Sequence, residues 1–356
     1  MPFRFGLIGA GAVSETHVLA MRMVPDVQLV AVADVDLGRA KALAQRYDIP
    51  GVYDSADALL ADASVEAVSI VTPHGHHLSA AKAAAQAKKH VLVEKAMADT
   101  VAAADEMIEV CRAQGVTLGG ILQNRFAPAA RSLRQAVQSG SLGRPFLASL
   151  TVKLRRSAAY FQRGPWRGRK AEGGGGTLIN NGVHTLDLLQ WVLGMPRRVF
   201  GRTATAVHPI EVEDLAVGIL EWENGATAVL QVTTGVFPEN PSELEVHGEN
   251  GTAALLESRG YLGYWASLLD KPSSLLDRWS LYASHFHEQD STVPSQASPE
   301  PHAENIRDFV AAVREGRRPL VDGEEARKAL VIVEALYRSA ELGRWAKLGP
   351  STRMTS

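Results

Sequence analysis

The first third of the chain alternates short apolar runs with alanine-rich stretches of helical character. The apolar runs are FGLIG, VQLVAVAD, AVSIVTP, HVLVEK and VTLGGIL. Neighbouring parallel strands need a crossover connection, and a helix usually supplies it. This alternation is therefore typical of βαβ units whose parallel sheet is covered on both faces. It predicts an α/β domain over residues 1–123.

The pattern changes after Leu122. One helical stretch, APAARSLRQAVQSG, is followed by strand-like runs, and Asn224-Gly225 and Asn250-Gly251 stand between pairs of them. The Asn-Gly pair favours tight hairpins because both residues tolerate positive φ. We expect residues 124–356 to form an α+β domain with a largely antiparallel sheet, closed by two amphipathic helices. The stretch from about Tyr261 to Pro301 has no assignable pattern.

The composition excludes several classes of function. The 356 residues carry a formal net charge of −2, which provides no attraction for nucleic acid or an anionic membrane surface. Cys111 is the single cysteine, so an intramolecular disulfide and a cysteine cage for a metal are excluded. The chain starts directly in an apolar strand, and no run reaches the roughly 18 apolar residues of a membrane helix. We expect a cytoplasmic protein without nucleic-acid or membrane partners.

Two glycines lie between the first strand and the first helix, in FGLIGAGAVSETHV. Gly9 permits a tight turn, and Gly11 lets the backbone approach a pyrophosphate at the helix N-terminus. Ser14 replaces the third glycine of this dinucleotide-binding fingerprint. The next strand ends at Asp34, whose carboxylate accepts hydrogen bonds from a ribose 2′-hydroxyl and repels a 2′-phosphate. The arrangement predicts NAD, with NADP less favoured; the alternative is a glycine turn and a capping aspartate without a ligand.

Polar residues follow two later strands at the same edge of the predicted sheet. IVTPHGHH ends the fourth strand and VLVEKA ends the fifth. Open α/β sheets bind ligands at the carboxyl ends of their strands, so we expect Glu94 and Lys95 near the nicotinamide end of the cofactor. A solvated Glu–Lys pair at a strand end is the alternative.

Four consecutive glycines, Gly173–Gly176, precede a helix that carries His184 and Asp187. Residues three apart on a helix share a face, so the carboxylate could orient the imidazole. The glycines allow a close backbone approach, which suits a turn lined by a ligand. The alternative is a flexible linker followed by a core helix.

These motifs together resemble one family. GAGAVS, TPHGHH, VLVEKA and GGGTLINNGVHTLD, in this order and at these separations, are similar to the Gfo/Idh/MocA oxidoreductases, named for glucose–fructose oxidoreductase, inositol dehydrogenase and a rhizopine-catabolism protein. The resemblance reaches FVAAVREGRRPLVDGEEARKAL in the closing helices. It implies an N-terminal Rossmann domain over 1–123. It also implies, over 124–356, a domain whose open sheet binds substrate on one face and pairs subunits on the other.

The resemblance also implies roles for single residues. The family's catalytic lysine falls on Lys95 and its catalytic histidine on His184. The aspartate that usually stands four residues before this histidine is Asn180, and an amide cannot hold a negative charge. The proline that usually follows the lysine is Ala96. We expect Lys95, His184 and Asn180 to form the catalytic set.

Two larger sets of site residues are expected. The cofactor-binding set is Gly9, Gly11, Ala12, Val13, Asp34, Thr72, Pro73, His74, His77, Glu94, Lys95, Asn124, Trp166 and Arg167. The substrate-binding set is Lys95, Arg155, Tyr160, Asn180, Asn181 and His184. The arginine-rich stretch from Arg155 to Arg167 suits an anionic group such as a uronate or a nucleotide-sugar phosphate, or else a solvated or subunit-contact face.

The expected function is NAD-dependent hydride transfer between a nicotinamide and a secondary alcohol or ketone of a sugar, inositol or sugar acid. His184 is favoured as the acid/base and Lys95 as the group that binds the reacting oxygen; the opposite assignment stays open. Two alternatives remain, a non-catalytic regulator that binds NAD and sugar, and a redox-assisted glycosidase or epimerase that recycles its NAD.

Two further expectations concern metals and assembly. No metal site is expected, because the histidine clusters at residues 74–77 and at His285 and His287 lack a carboxylate at ligand spacing. The resemblance implies a homodimer or homotetramer formed through the C-terminal sheet.

Overall fold

The structure, a computed structural model, describes residues 1–258, 261–274, 277, 278, 280 and 298–349. The chain divides into two compact units. The first comprises Met1–Phe126 and Ser298–Arg327, and the second comprises the described residues of Ala127–Ala297 and Lys328–Ser356. His285 and His287 lie outside the described residues.

The first unit is built on six parallel strands. They are β1 (Phe3–Ile8), β2 (Val27–Ala33), β3 (Gly51–Tyr53), β4 (Ala67–Ile70), β5 (His90–Val93) and β6 (Leu118–Gly120). Their spatial order is β3-β2-β1-β4-β5-β6, which is the doubly wound arrangement of a Rossmann domain. Because all the strands are parallel, their carboxyl ends lie along one edge of the sheet. The predicted Rossmann domain is confirmed.

Helices connect these strands and cover the sheet. They are α1 (Ser14–Arg22), α2 (Leu37–Tyr47), α3 (Ala56–Leu60), α4 (His77–Gln86) and α5 (Val101–Gln114). Thr100 caps α5 by accepting a hydrogen bond from the amide of Ala103, and Gly115 ends it with φ of 69°. These are the sequence signals that start and stop a helix.

A helix from the far end of the chain completes the first unit. This helix, α10 (Pro299–Glu315), contributes Ile306, Phe309 and Val310 to the same buried cluster as Phe5 on β1. A Cβ on Gly119 would stand 2.6 Å from the Phe309 ring, so the glycine makes room for that ring. Residues 124–356 were predicted to form the second domain. Residues 298–327 pack with the first unit instead, because their apolar face covers its sheet.

The second unit is built on an eight-stranded sheet. Its strands are β7 (Pro145–Lys153), β8 (Arg198–Ala204), β9 (Leu215–Glu221), β10 (Thr227–Thr233), β11 (Ser242–Gly248), β12 (Gly251–Ser258), β13 (Tyr261–Leu268) and β14 (Ala346–Lys347). Their order is β13-β12-β11-β7-β10-β9-β8-β14. β7 and β10 pair in parallel, and every other neighbouring pair is antiparallel. The predicted mostly antiparallel sheet is confirmed.

Helices α6 to α9 and part of α11 belong to this unit. Their bounds are α6 (Pro128–Gln138), α7 (Ala158–Arg163), α8 (Lys170–Gly173), α9 (Val183–Leu193) and α11 (Gly323–Leu342). Both predicted closing helices, α10 and α11, are present. Among the described residues, no helix has the length and apolar character that a membrane span requires.

The two predicted hairpins form, with one difference in register. Gly225 lies between β9 and β10 with φ of 84°, as the Asn-Gly signal requires. In the second hairpin Gly248 pairs with Gly251, so the two-residue loop is Glu249-Asn250 and Gly251 begins β12. Part of the unassigned stretch also forms a strand, β13.

One face of the second sheet carries several exposed apolar residues. Residues of β9 and β10 alternate between buried and exposed positions, as strands with one covered face do. Val217, Ile219 and Val229 point to the exposed face and retain 38%, 38% and 40% of their accessible surface. Ile219 and Val229 stand directly opposite each other on neighbouring strands.

Candidate functional site

Gly9 and Gly11, the two glycines of the first turn, are needed for different structural reasons. Gly9 has φ of 107°, and a Cβ there would stand 2.9 Å from the carbonyl oxygen of Val71. Gly9 is therefore required by the fold itself. A Cβ on Gly11 would meet no atom of the described residues within 4 Å. Gly11 thus presents bare backbone to open space, where a pyrophosphate can approach.

The start of α1 fits an anion. Val13 precedes the helix, and no described side chain caps its first turn. Uncapped amide groups at a helix N-terminus attract negative charge. Ser14, which replaces the third glycine, is buried and donates its hydroxyl to the carbonyl oxygen of Gly11 over 2.6 Å. Gly11, Ala12 and Val13, all predicted for the cofactor, lie at this helix start.

Asp34 ties the glycine turn to the end of β2. Its Oδ2 accepts the amide of Ala10 over 2.6 Å and its Oδ1 accepts the amide of Asp36 over 2.8 Å. A carboxylate has about four acceptor positions, so each oxygen can accept a further hydrogen bond from a ribose hydroxyl. Asp36 caps α2 and forms an ion pair with Arg39 at 3.2 Å. The residues of this turn therefore fit a dinucleotide.

The two predicted cofactor histidines contact protein backbone. His74 accepts the amide of Ala96 at Nε2 over 3.3 Å. His77 contacts the carbonyl oxygens of Ala96 at 3.0 Å and Thr72 at 2.8 Å through its two ring nitrogens. Burial lowers the pKa of His77, against the opposing influence of its carbonyl partners and of Glu94. Both imidazoles hold the main chain that follows Lys95, next to the turn that contains Pro73.

The side chains of Glu94 and Lys95, at the end of β5, differ in their burial. Lys95 is half-buried, whereas Glu94 is only 6% exposed and its Oε1 lies 2.8 Å from Nε2 of His17. Burial would raise the pKa of Glu94, but the hydrogen bond and charge of His17, with His302 and Lys95, outweigh it and hold that pKa below its usual range. The carboxylate therefore faces the interior and not a solvated surface.

His17 and His302 were not predicted as site residues. Their ring nitrogens and the Glu94 carboxylate lie within 4.8 Å of one another, close enough to be considered as metal ligands. His17 follows the glycine turn closely, but nothing in the sequence links it to His302 on α10. Asn124, the last cofactor prediction of this unit, lies half-buried in the turn Gln123–Phe126.

The glycine run of the second unit packs against protein. A Cβ on Gly176 would stand 1.9 Å from the carbonyl oxygen of Glu213, and one on Gly175 would stand 2.2 Å from the Tyr337 hydroxyl. The glycine run was predicted to allow the close approach of a ligand. At these two positions the close approach is made by Glu213 and Tyr337 instead.

Glu213 fixes this glycine turn. Its carboxylate accepts the amides of Gly176 over 2.8 Å and Leu178 over 2.9 Å, and the hydroxyl of Tyr337 over 2.9 Å. Burial raises the pKa of Glu213, and these three donors oppose the shift. Glu213 and Tyr337 were not predicted as site residues. Glu213 lies just before β9 and Tyr337 lies on α11, so their contact joins segments that are far apart in the sequence.

Asn180 and His184 lie where the glycine turn becomes a helix. Asn180 is in a single π-helical turn, Leu178–Gly182, and π-turns inside helices are frequent at functional sites. Its Nδ2 donates to the carbonyl oxygens of Gly175 at 3.2 Å and Gly176 at 3.0 Å. His184 is half-buried in the first turn of α9. Asp187, expected to orient His184, accepts a hydrogen bond from Gln190 over 2.9 Å.

A cleft in the second unit gathers several predicted residues. Its lining is Tyr160, Phe161, Arg167, Gly176, Thr177, Asn180, Asn181, Ile210, Glu213 and Thr234. Three of the predicted substrate residues, Tyr160, Asn180 and Asn181, are thus brought together. Arg167, predicted for the cofactor, joins them. No sequence pattern indicated that the other lining residues Phe161, Thr177, Ile210 and Thr234 belong to a site.

Aromatic rings contact two of the predicted arginines, of which Arg167 lines the cleft. The Arg167 guanidinium lies 4.7 Å from the ring centre of Tyr160 and 4.8 Å from that of half-buried Trp166. The Arg155 guanidinium lies 4.3 Å from the ring centre of Phe237. Cation–π contacts of this kind fix the orientation of a guanidinium. Arg167 is accordingly oriented within the cleft lining.

Comparison with known proteins agrees with these features. The family model described as "Oxidoreductase family, NAD-binding Rossmann fold" matches residues 3–120. The family model described as "GFO/IDH/MocA C-terminal domain" matches residues 130–254. The chain is 28% identical to a D-apiose dehydrogenase of Paraburkholderia graminis, over 97% of this chain and 90% of that protein. It is 31% identical to a trans-1,2-dihydrobenzene-1,2-diol dehydrogenase of Bos taurus, over 72% of this chain and 75% of that protein.

A solved structure is similar over the full length. It is the WlbA dehydrogenase of Bordetella pertussis in complex with NADH and UDP-GlcNAcA, with a TM-score of 0.84 and 27% identity. The similarity covers 99% of this chain and 100% of that chain. The protein belongs to the GFO/IDH/MocA family of oxidoreductases.

Proposed function

We propose that the protein is an NAD-dependent dehydrogenase that moves a hydride between the nicotinamide and a secondary alcohol or ketone of a sugar, an inositol or a sugar acid. The observation that carries the proposal is the placement of Lys95 on the edge of the parallel sheet that also bears the glycine turn of Gly9 and Gly11. The dehydrogenase names of the relatives and the NADH-bound neighbour support it.

The cofactor is proposed to lie over Gly11 and the first turn of α1. The open space at Gly11 and the uncapped amides of α1 suit the pyrophosphate, and the remaining acceptor positions of Asp34 suit the ribose. A 2′-phosphate would meet the charge of Asp34, so NAD is proposed over NADP.

The chemistry needs two protein groups near the substrate oxygen. When bound, NAD supplies the acceptor for the hydride that leaves carbon. The hydroxyl proton leaves with it and needs a base; we assign this to His184, whose unperturbed pKa is near neutral. Lys95 donates a hydrogen bond to the oxygen and stabilises negative charge on it. The reverse assignment of these two groups is the alternative.

The side chains that line the cleft of the second unit offer groups that recognise a sugar with an acid group. Tyr160 offers a ring face, Asn181 offers an amide, and Arg167 offers a guanidinium that can bind a carboxylate through two hydrogen bonds. The similar Bordetella pertussis structure contains UDP-GlcNAcA, a ligand of this chemical kind. Uronates and nucleotide-linked sugar acids are therefore the first substrates to test.

The exposed apolar face of the second sheet supports self-association. Val217, Ile219 and Val229 form a contiguous group on neighbouring strands, and exposed apolar patches commonly mark interfaces. We propose a homodimer or homotetramer through this face, in the cytoplasm.

The activity is tested with purified protein, NAD or NADP, and a panel of sugars, inositols, uronates and nucleotide-linked sugar acids. Formation of NADH, followed by absorbance, in stoichiometric amount with one class of substrate is the expected result. Product formed with catalytic NAD and without net NADH would indicate a redox-assisted glycosidase or epimerase. Binding of NAD and sugar without any product would indicate a regulator. Either of these outcomes contradicts the proposed dehydrogenase.

A further inference from the structure

Two buried threonine hydroxyls belong to the cleft of the second unit. Thr177 directly follows the glycine run, and Thr234 directly follows β10. Both residues line the cleft, and they are only 3% and 2% exposed. Neither hydroxyl oxygen has a hydrogen-bond partner among the described residues. The proposed chemistry gives these two side chains no role.

A hydroxyl that is buried without a partner costs free energy, because it has lost its hydrogen bonds to water. Valine has nearly the same shape as threonine and would fill either position without that cost. The two hydroxyls therefore indicate a partner from outside the described protein. Ordered water and a bound ligand are the two kinds of group that supply such a partner.

The main chain ties the two threonines to one short segment. The amide of Thr177 donates to the carbonyl oxygen of Glu213 over 2.9 Å, and the amide of Thr234 donates to that of Asp214 over 3.1 Å. Glu213 and Asp214 are neighbours in the segment that precedes β9. Since both threonines are held against this segment and line the same cleft, one bound group can meet both hydroxyls.

Two other buried polar side chains of the cleft already hold the glycine turn. The Glu213 carboxylate accepts the amides of Gly176 and Leu178, and Nδ2 of Asn180 donates to the carbonyl oxygens of Gly175 and Gly176. A ligand that engaged these groups would compete with bonds that fix the turn. The two threonine hydroxyls, by contrast, can bind a ligand without the loss of a hydrogen bond within the described protein.

The size of the cleft limits what the hydroxyls can bind. Its enclosed space leaves about 10 Å³ for the centre of a water-sized group, which is the room of one water molecule. An alcohol hydroxyl has that size, whereas the two oxygens of a carboxylate need more room. A hydroxyl also donates and accepts, so it can pair with both threonines, but a carboxylate only accepts. The rest of a sugar then lies outside this space.

We propose that Thr177 and Thr234 form a subsite for one alcohol hydroxyl of the substrate, which an ordered water molecule occupies when no substrate is bound. The inference rests on the proposed function, in which this cleft receives a sugar or an inositol, and it adds two residues that determine specificity. A polyol that lacks this hydroxyl leaves both threonines unpaired, so it binds less tightly. The subsite thus selects substrates by the position of one hydroxyl.

Valine and serine variants separate the hydroxyl from the shape of the side chain. Thr177→Val and Thr234→Val remove the hydroxyl, whereas Thr177→Ser and Thr234→Ser keep it. Thr252→Val is the matched control, because the Thr252 hydroxyl lies 2.8 Å from Nδ1 of His247, on β12 and outside the cleft lining. The control should unfold at a lower temperature than the wild type. The two cleft valine variants should unfold at the wild-type temperature or above it.

Calorimetric titration of the NADH-loaded protein with D-glucuronate and with myo-inositol measures substrate binding. NADH cannot accept a hydride, so the titration reports binding without reaction. We expect each cleft valine variant to bind the preferred polyol about tenfold more weakly, as for the loss of one hydrogen bond. The serine variants and Thr252→Val should bind it like the wild type. One monodeoxy form of that polyol should bind equally to the wild type and to the cleft valine variants.

A crystal structure without ligand should show one water molecule bonded to both threonine hydroxyls. Absence of that water, a wild type that binds neither polyol, or a cleft valine variant that unfolds earlier than the wild type overturns the inference. NADH formation by a wild type whose polyol binding neither valine variant weakens also overturns it, but leaves the proposed dehydrogenase standing. Weaker binding by the valine variants, with no NADH formed from NAD by the wild type, contradicts the dehydrogenase and leaves the subsite.

Discussion

The side chain of Asn180 donates its Nδ2 hydrogens to the carbonyl oxygens of Gly176 at 3.0 Å and Gly175 at 3.2 Å. The amide therefore bridges the end of the glycine run and the π-turn that leads to His184. A carboxylate at the same position has no hydrogen to donate. The two residue types have nearly the same shape, but only the amide satisfies these carbonyl groups.

Asn180→Asp should consequently destabilise the protein. The loss of donors opposite two buried carbonyl oxygens should lower the free energy of unfolding by about 1–3 kcal/mol. Denaturant unfolding of the variant measures it, with Asn250→Asp in the β11–β12 loop as the control. Equal stability of wild type and Asn180→Asp would show that the amide does not hold the turn.

Lys95→Met should remove turnover and leave NAD binding nearly intact. Lys95 is proposed to contact the reacting oxygen, while the turn around Gly11 and Asp34 holds the cofactor. We expect the rate to fall more than tenfold, a loss of transition-state stabilisation above about 1.4 kcal/mol. Steady-state kinetics and a fluorescence titration with NADH give the two quantities. Retention of more than about a tenth of the rate would refute the role of Lys95.

Asp34→Ser should weaken NAD binding relative to NADP. Serine removes the charge that opposes a 2′-phosphate, and it also removes acceptors for Ala10 and Asp36. We expect the ratio of NAD to NADP affinity to fall about tenfold, the effect of one hydrogen bond to a charged group. Binding titrations with both cofactors measure the ratio. Asp57→Ser on the exposed side of α3 is the control, and an unchanged ratio in Asp34→Ser would make Asp34 a purely structural residue.

The stability of the protein should depend on the protonation of His302. Its pKa is lowered by burial from 6.5 to about 4, so between these values the unfolded chain binds a proton that the folded chain does not. The contribution of neutral His302 is fully present above pH 6.5 and is lost as the pH falls toward 4. It amounts to about 3 kcal/mol.

A His302→Gln variant isolates this effect. The difference in unfolding free energy between wild type and variant, measured at several pH values, should shrink on acidification through this window and level off below it. A difference that is constant with pH would mean that the pKa of His302 is the same in the folded and the unfolded chain.

Ile219→Lys should disrupt the proposed assembly. Ile219 and Val229 stand opposite each other on the exposed face of the second sheet, and a lysine there places a charge in an apolar contact. Light scattering should report the mass of an oligomer for the wild type and a lower mass for the variant. Leu342→Lys, at the exposed end of α11, is the control. A monomeric wild type would contradict the proposed interface.

Local patterns in the sequence suffice to predict the glycine turn after β1 and the carboxylate at the end of β2. The turn after β1 places Gly9 and Gly11, and the end of β2 places Asp34. Their positions follow from neighbouring secondary-structure elements that are close in the sequence. The carboxyl ends of parallel strands likewise place Lys95 at the ligand edge. Such positions depend on the secondary structure and not on distant packing.

Contacts between distant segments could not be predicted in the same way. Glu213 meets Tyr337 across more than a third of the chain, and Glu94 lies within 3.8 Å of His302 on α10. No periodicity links such pairs, because only tertiary packing brings them together. The glycine run shows the same limit: the sequence indicates a close approach at Gly176, but it does not say that Glu213 makes it.

The discontinuous first unit constrains when it can fold during synthesis. A growing chain emerges from its N-terminus, so β1 to β6 are available early. Ile306, Phe309 and Val310, which complete the cluster around Phe5, are made only after the whole of the second sheet up to β13. Until then the apolar face of the Rossmann sheet stays exposed and accessible to non-native contacts. Translation of the first unit thus begins before that of the second unit, but its core is completed only when α10 has been made. A chain released before α10 is made exposes the apolar face that α10 covers.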